Sequence, residues 1–183
     1  MIHAIGMVEF TSIAHGIDGA DLMAKRADVQ ILVAKTICPG KFMVLIGGDV
    51  SAVQQSVDAG IEAHPENIAD SFVIPNVHPS ILPAISGGND LPNIKALGII
   101  ETFSVASLIE AADKAVKAGE VEPIRLHLAF GIGGKSYVLL TGEVASVKSA
   151  VEEGSQVAAQ KGMLTQKVVI PRPHQQMLAS LLM

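Results

Sequence analysis

A single cysteine, a single tyrosine and no tryptophan stand in a chain of 183 residues, and aromatic side chains make up only 3% of it. One thiol cannot close an intrachain disulfide, so a disulfide scaffold is excluded and a reducing compartment is the expected setting. Positive charge is scarce too: 13 Lys+Arg against 18 Asp+Glu leave a net charge of −5. No dense Lys/Arg run exists to replace phosphate counterions, which argues against nucleic acid as a partner. A long unbroken apolar run is also missing. The longest charge-free stretch, Ser71 to Asn89, carries Pro75, Pro79, Pro83 and Gly87-Gly88, which no ordinary membrane-spanning helix would hold. The opening Met1-Ile2-His3-Ala4 has neither the basic start nor the apolar core of a secretory signal. The expected location is the cytoplasm, with no membrane partner.

What is there is aliphatic. Apolar residues reach 49%, charged ones 17%, and the mean hydropathy is +0.44. That is too apolar for a disordered chain and rather apolar for a lone soluble one. Such a composition suggests surface that is buried in an assembly.

The chain also repeats itself. Ala4-Ile5-Gly6-Met7-Val8-Glu9 returns as Ala96-Leu97-Gly98-Ile99-Ile100-Glu101, and the same offset of 92 pairs Asp21 with Asp113, Lys25 with Lys117 and Val29 with Val121. At offset 94, Gly40-Lys41 pairs with Gly134-Lys135 and Gly48-Asp49-Val50 with Gly142-Glu143-Val144. At offset 96, Val73-Ile74-Pro75 pairs with Val169-Ile170-Pro171 and His78 with His174. A collinear set of this kind is a tandem duplication of a unit of domain size, divided as residues 1–92 and 93–183.

Both copies read alike. An apolar strand is expected at 2–10 and 95–102, followed by helical spacing over 14–27 and 105–118. Val29–Ile37 and Lys41–Gly47 read as a hairpin around Cys-Pro-Gly, and Pro123–Phe130 and Lys135–Thr141 as one around Gly-Ile-Gly-Gly. Asp49, and Glu143 in the second copy, then stand as N-caps of a helix, and a short strand ending in Ile-Pro closes each half. The unit is β-α-β-β-α-β: an α+β fold with helices on an antiparallel sheet.

Two decoys fall away. Gly131-Ile132-Gly133-Gly134-Lys135-Ser136 suggests a phosphate loop, but position 129 is Ala where a glycine is needed, and a strand follows where a helix is needed. The six histidines offer no close ligand pair in the sequence, and no nucleophilic triad order stands out. His78 and His174 occupy equivalent places beside prolines, which favours a structural role.

The Ala-Ile-Gly-x-Val-Glu strand, the Asp-x-x-x-Lys helix end, the Gly-Asp-Val helix start and Ile170-Pro171-Arg172-Pro173-His174 together resemble the bacterial microcompartment shell domain. Two copies in direct, non-permuted order resemble the tandem-domain shell proteins, with ferredoxin-like sheets. Lys35-Thr36-Ile37-Cys38-Pro39-Gly40-Lys41 is similar to the pore loop of the T-type shell proteins of propanediol-utilisation compartments. The resemblance covers essentially the whole chain. It departs at Ile74-Pro75-Asn76-Val77-His78, which lacks the arginine of the second copy.

The resemblance implies a structural protein rather than an enzyme, built as a homotrimer that mimics a hexamer. Lys25, Lys117, Arg172 and His174 would lie at tile edges and meet other shell proteins. Thr36, Ile37, Pro39 and Gly40 of the first copy, with Gly131, Ile132, Gly133 and Gly134 of the second, would line a central pore. Three copies of Cys38 would meet on the three-fold axis and bind one [4Fe–4S] cluster per trimer, with one iron left open. Ile132, at the place equivalent to Cys38, adds no sulfur. A redox enzyme or flavoprotein in the lumen is the implied electron partner. Zinc or adventitious iron on three thiolates is the chemical rival. Two other readings stay open: a tile whose open pore passes a small polar metabolite with Cys38 incidental, and a free-standing α+β enzyme or ligand-binding domain.

Overall fold

The computed structural model describes residues 2–87 and 94–182, so the division after residue 92 lies outside the described residues. Two copies of one unit follow each other. The first is β1 (Ala4–Phe10), α1 (Ile13–Arg26), β2 (Val29–Ile37), β3 (Lys41–Gly48), α2 (Val50–Ala63), β4 (Ile68–Ile74) and α3 (Ile81–Ser86). The second is β5 (Ala96–Thr102), α4 (Val105–Ala118), β6 (Val121–His127), β7 (Ser136–Gly142), α5 (Val144–Gln160), β8 (Leu164–Pro171) and α6 (Gln175–Leu182). Each unit makes a four-stranded antiparallel sheet, ordered β2-β3-β1-β4 and β6-β7-β5-β8.

The repeated glycine in each first strand is what lets a helix lie close on the sheet. A Cβ on Gly6 would stand 2.6 Å from both Val53 and Val57 of α2, and one on Gly98 would stand 2.7 Å from Val147 and Val151 of α5. The helices α1 and α4 pack beside α2 and α5 on the same layer. Ser12 and Ser104 cap α1 and α4 by accepting from the backbone N–H three residues on. Asp49 and Glu143 stand at the N-cap positions of α2 and α5, but neither side chain makes a capping bond. Both are exposed, and the Glu143 carboxylate is turned to Lys95 instead, so the expected cap is one of position only.

Three further differences from the sequence reading have physical causes. The second hairpin's first strand runs Val121–His127 rather than Pro123–Phe130. β6 is an edge strand and its register slips between Pro123 and Arg125, the kind of place where a proline fits a sheet. After Ile-Pro each copy continues into an extra helix, α3 or α6. The two Ile-Pro segments also differ in backbone: Val77 N–H donates to the His3 carbonyl, whereas Arg172 N–H donates to that of Lys95. Pro173, standing where Val77 stands, has no N–H to give, and Arg172 takes a left-handed φ of 51°.

Candidate functional site

The two loops expected to face a pore lie against each other. Ile37 pairs with Lys41 and Thr36 with Phe42 to close the first hairpin, leaving Cys38, Pro39 and Gly40 as its turn. Cys38 N–H donates to the Ala129 carbonyl at 2.9 Å. A Cβ on Gly134 would stand 2.6 Å from the Pro39 ring and 3.0 Å from the Cys38 carbonyl oxygen, so only glycine allows this approach. Gly40, Gly131, Gly133 and Gly134 all have positive φ, the backbone that glycine adopts at no steric cost. Cys38 is half-buried and free, while Gly131, Ile132 and Gly133 are exposed. Cys38 is the sole cysteine of the chain, so one subunit offers one thiolate where an iron–sulfur cluster takes four protein ligands or three with one iron open. The donor set of one chain therefore does not complete such a site by itself.

A second constellation joins the two units, and the sequence reading missed it. Glu9 is fully buried in β1. One of its carboxylate oxygens accepts from Ser104 Oγ and from the N–H groups of Val105 and Ala106 at 2.9–3.3 Å; the other pairs with Lys41. A carboxylate from the first unit thus caps the N-terminus of α4 in the second, where orphan N–H groups and the helix dipole favour negative charge. Asp70 on β4 accepts from Ser104 Oγ at 2.5 Å, Ser107 Oγ at 2.6 Å and Lys161 at 3.1 Å. Burial pushes the Asp70 carboxyl up, but those hydrogen bonds and the Lys161 charge outweigh it and hold it below its ordinary value. Lys161 also pairs with Glu110. Burial lowers the Lys161 ammonium's pKa, yet its two acid partners raise it overall; Glu110 is raised by burial. Further along, Asp113 accepts from His78 N–H at 2.8 Å and from Lys117 at 2.5 Å, and Lys117 reaches the Asn76 carbonyl as well. The signal available in the sequence was the acid that ends the apolar strand in both copies, Glu9 and Glu101.

The repeat equivalents of these residues are left on two open flanks. Val105 and Ile109 of α4 are fully buried, whereas their counterparts Ile13 and Ile17 of α1 are 39% and 57% exposed. Phe72 of β4 is 5% exposed and shares a core cluster with Val105 and Ile109, whereas its counterpart Val168 of β8 is 44% exposed. Glu101 pairs with Lys135 at 2.9 Å, as Glu9 does with Lys41, but caps no helix among the described residues. Equivalent surfaces of the two units are therefore used unequally: one set is buried at the contact between the units and its counterparts are exposed.

The residues expected at tile edges divide between junction and surface. Lys25 pairs with Asp21 at 2.5 Å on an open flank. Lys117 gives donors to Asp113 and Asn76 at the junction while its side chain stays 36% exposed. Arg172 and His174 are exposed, and His174 Nδ1 accepts from Gln176 N–H at 3.3 Å.

Comparison with known proteins agrees with this geometry. The sequence profile of the BMC domain matches residues 4–77 and 96–173. The chain is 52% identical to bacterial microcompartment shell protein PduT of Citrobacter freundii, over 97% of this chain and 96% of that one. It is 40% identical to bacterial microcompartment shell protein EutM of Escherichia coli over 44% of this chain and 81% of that one. The crystal structure of a microcompartment protein from Desulfitobacterium hafniense superposes with a TM-score of 0.87 at 54% identity, covering 98% of this chain and 99% of that one.

Proposed function

The chain belongs to the BMC-domain family, as a structural microcompartment shell protein with two such domains in tandem, and from that premise we propose that three copies close head to tail into a tile whose central pore holds a [4Fe–4S] cluster on Cys38. The observation that carries the ring is the unequal use of equivalent surfaces. Where the first unit meets the second, Glu9, Asp70, Asn76 and His78 face Ser104, Ser107, Asp113 and Lys117. Their counterparts Glu101, Gln166, Arg172 and His174 lie on one flank, and Ser12, His15, Asp21 and Lys25 on the other. Repeating the junction between chains gives Glu101 the free N–H groups at the start of a neighbour's α1 and gives exposed Ile13, Ile17 and Val168 an apolar seat. A heterologous contact of this kind either closes a ring or grows a filament, and six similar domains around one axis close it.

The pore follows from the same closure. The Cys38 turn and the Gly131–Gly134 loop of each chain stand side by side, so three chains alternate sulfur-bearing and sulfur-free loops around the axis. Three thiolates then suit a cubane with one iron open to water or an exogenous ligand. When bound, the cluster supplies a one-electron carrier in the wall of the compartment, for electron transfer across the shell or for cluster exchange. The protein's own part is to fix the thiolates: the Cys38 N–H bond to Ala129 and the close seat on Gly134 set the turn. A redox enzyme or flavoprotein in the lumen would be the partner on one face. Other shell proteins would meet the tile at Lys25, Lys117, Arg172 and His174.

The test is chemical analysis of anaerobically purified protein beside its Cys38→Ser variant. Expected are broad visible absorbance, four irons and four sulfides per trimer in the parent, and a colourless trimer in the variant. Iron and sulfide retained by Cys38→Ser would overturn the assignment, and a colourless parent trimer would favour the open-pore reading.

A further inference from the structure

The open flank of the first unit carries a group of side chains whose chemistry neither the ring nor the pore accounts for. His15, in the first turn of α1, and His64, at the end of α2, stack with ring centroids 4.3 Å apart and planes 20° from parallel. One ligand atom from each ring and a carboxylate oxygen of Glu66 lie within 4.8 Å of one another. Each imidazole also has a hydrogen-bond partner of its own: His15 Nδ1 bonds Asn67 Oδ1, and His64 Nε2 bonds Asp18 Oδ2 at 2.7 Å. An N–H spent on a carbonyl or carboxylate oxygen leaves the other ring nitrogen with its lone pair outward, which is how metal-binding histidines are oriented. From these contacts we propose that His15, His64 and Glu66 bind a divalent transition-metal ion of the zinc type, with Asp18 and Asn67 as positioning residues.

Donor chemistry selects the class of ion. Two imidazoles and one carboxylate suit zinc and its near neighbours rather than calcium or magnesium, which take oxygen ligands. Metal–ligand distances of about 2.0–2.2 Å put neighbouring donors about 3.3–3.5 Å apart, a contraction that needs a rotamer change of exposed Glu66 and a tilt of the two imidazoles out of their stack. The repeat provides a contrast. In the second unit the places of His15, Asp18 and His64 are taken by Ser107, Glu110 and Ala158, and Lys161 lies between Glu110 and Asp70. At these places the completed junction therefore carries a fixed ammonium where the open flank carries two imidazoles. The site itself needs one chain. Its place at the seam between subunits rests on the ring proposed above, where the ion would tie α2 to the first turn of α1 beside the next chain's Gln166.

The experiment uses tag-free Cys38→Ser protein, which removes the pore sulfur, stripped with chelator and titrated with Co2+ and then Zn2+. Expected are one Co2+ per chain, visible d–d bands without a thiolate charge-transfer band, and displacement of Co2+ by Zn2+. Glu66→Ala, at an exposed position that leaves folding undisturbed, and His64→Ala should each weaken binding by more than the roughly 10–100-fold expected of Asp18→Ala, which removes only a positioning partner. Absence of Co2+ binding, or binding unchanged in Glu66→Ala and His64→Ala, overturns the site. Sedimentation in the same samples separates the two readings. A trimer without metal overturns the site and keeps the ring, and a monomer with one ion per chain overturns the ring and keeps the site.

Discussion

Asp70 shows how much of the junction rests on single groups. Burial alone would raise its carboxyl, and three donors from the second unit reverse the direction. Because its folded value lies below the ordinary 3.8, its contribution is fully present above that pH and is lost as pH falls through the folded value. Lys161 works from the other side: its folded value is raised above 10.5, so its contribution is complete below that pH and lost on further alkalinisation. Glu110, raised above 4.5, has the opposite sign and grows more favourable as it protonates. Expected is an acid limb in the melting temperature below about pH 4 that flattens in Asp70→Asn, with that variant weaker at neutral pH by about 1–3 kcal/mol. Thermal melts across pH check this, and an acid limb of equal slope in both proteins would remove Asp70 from the junction. None of this was legible in the sequence. Asp70 and its hydroxyl partners are more than thirty positions apart, and Lys161 sits in a segment with no counterpart in the first copy. Asp49 is the converse case, an N-cap by residue type and place whose side chain stays in water.

Helix termini carry the difference between the two flanks. The start of α4 is closed by Glu9, whereas among the described residues the start of α1 is capped by its own Ser12 alone. Removing the Glu9 carboxylate strands Lys41 and the α4 N–H groups inside the molecule, and Glu9→Ala should cost about 3–5 kcal/mol in urea unfolding. Glu101→Ala touches no helix of its own chain, so its effect should fall on subunit association: a dissociation midpoint shifted to higher protein concentration, with the fold kept. Equal losses of fold stability in both variants, with association unchanged, would show that Glu101 has no partner across a seam. At this scale the sequence was informative where periodicity is strong. Strands, long helices and hairpins follow from alternation, helical spacing and glycine turns, because burial on one face dictates each pattern. The short helices α3 and α6 escaped it. Pro79 and Pro83 read as breakers, yet a proline in the first turn gives up no helical hydrogen bond, and α3 begins at Ile81 with Pro83 inside that turn. Pro123 misled the strand boundary in the same way, since an edge strand with a slipped register tolerates it.

For the whole molecule, the tandem order was legible because duplication leaves a collinear record, and the resemblance it supports is matched by the BMC profile on both halves. The assembly is less directly written. It emerges from comparing equivalent places: Ile13 against Val105, Val168 against Phe72, Glu101 against Glu9. An aliphatic chain with few charges is consistent with flanks that meet other copies. The proposed pore depends on the same comparison, since one thiolate per chain would gain cluster chemistry only through symmetry. Native mass spectrometry of the anaerobically purified protein tests ring and pore together. Expected is one dominant species at the mass of three 19.1 kDa chains, about 57 kDa, plus a single four-iron, four-sulfide unit that is lost in Cys38→Ser. A monomer or dimer as the dominant species, or a trimer at the bare protein mass, would contradict it.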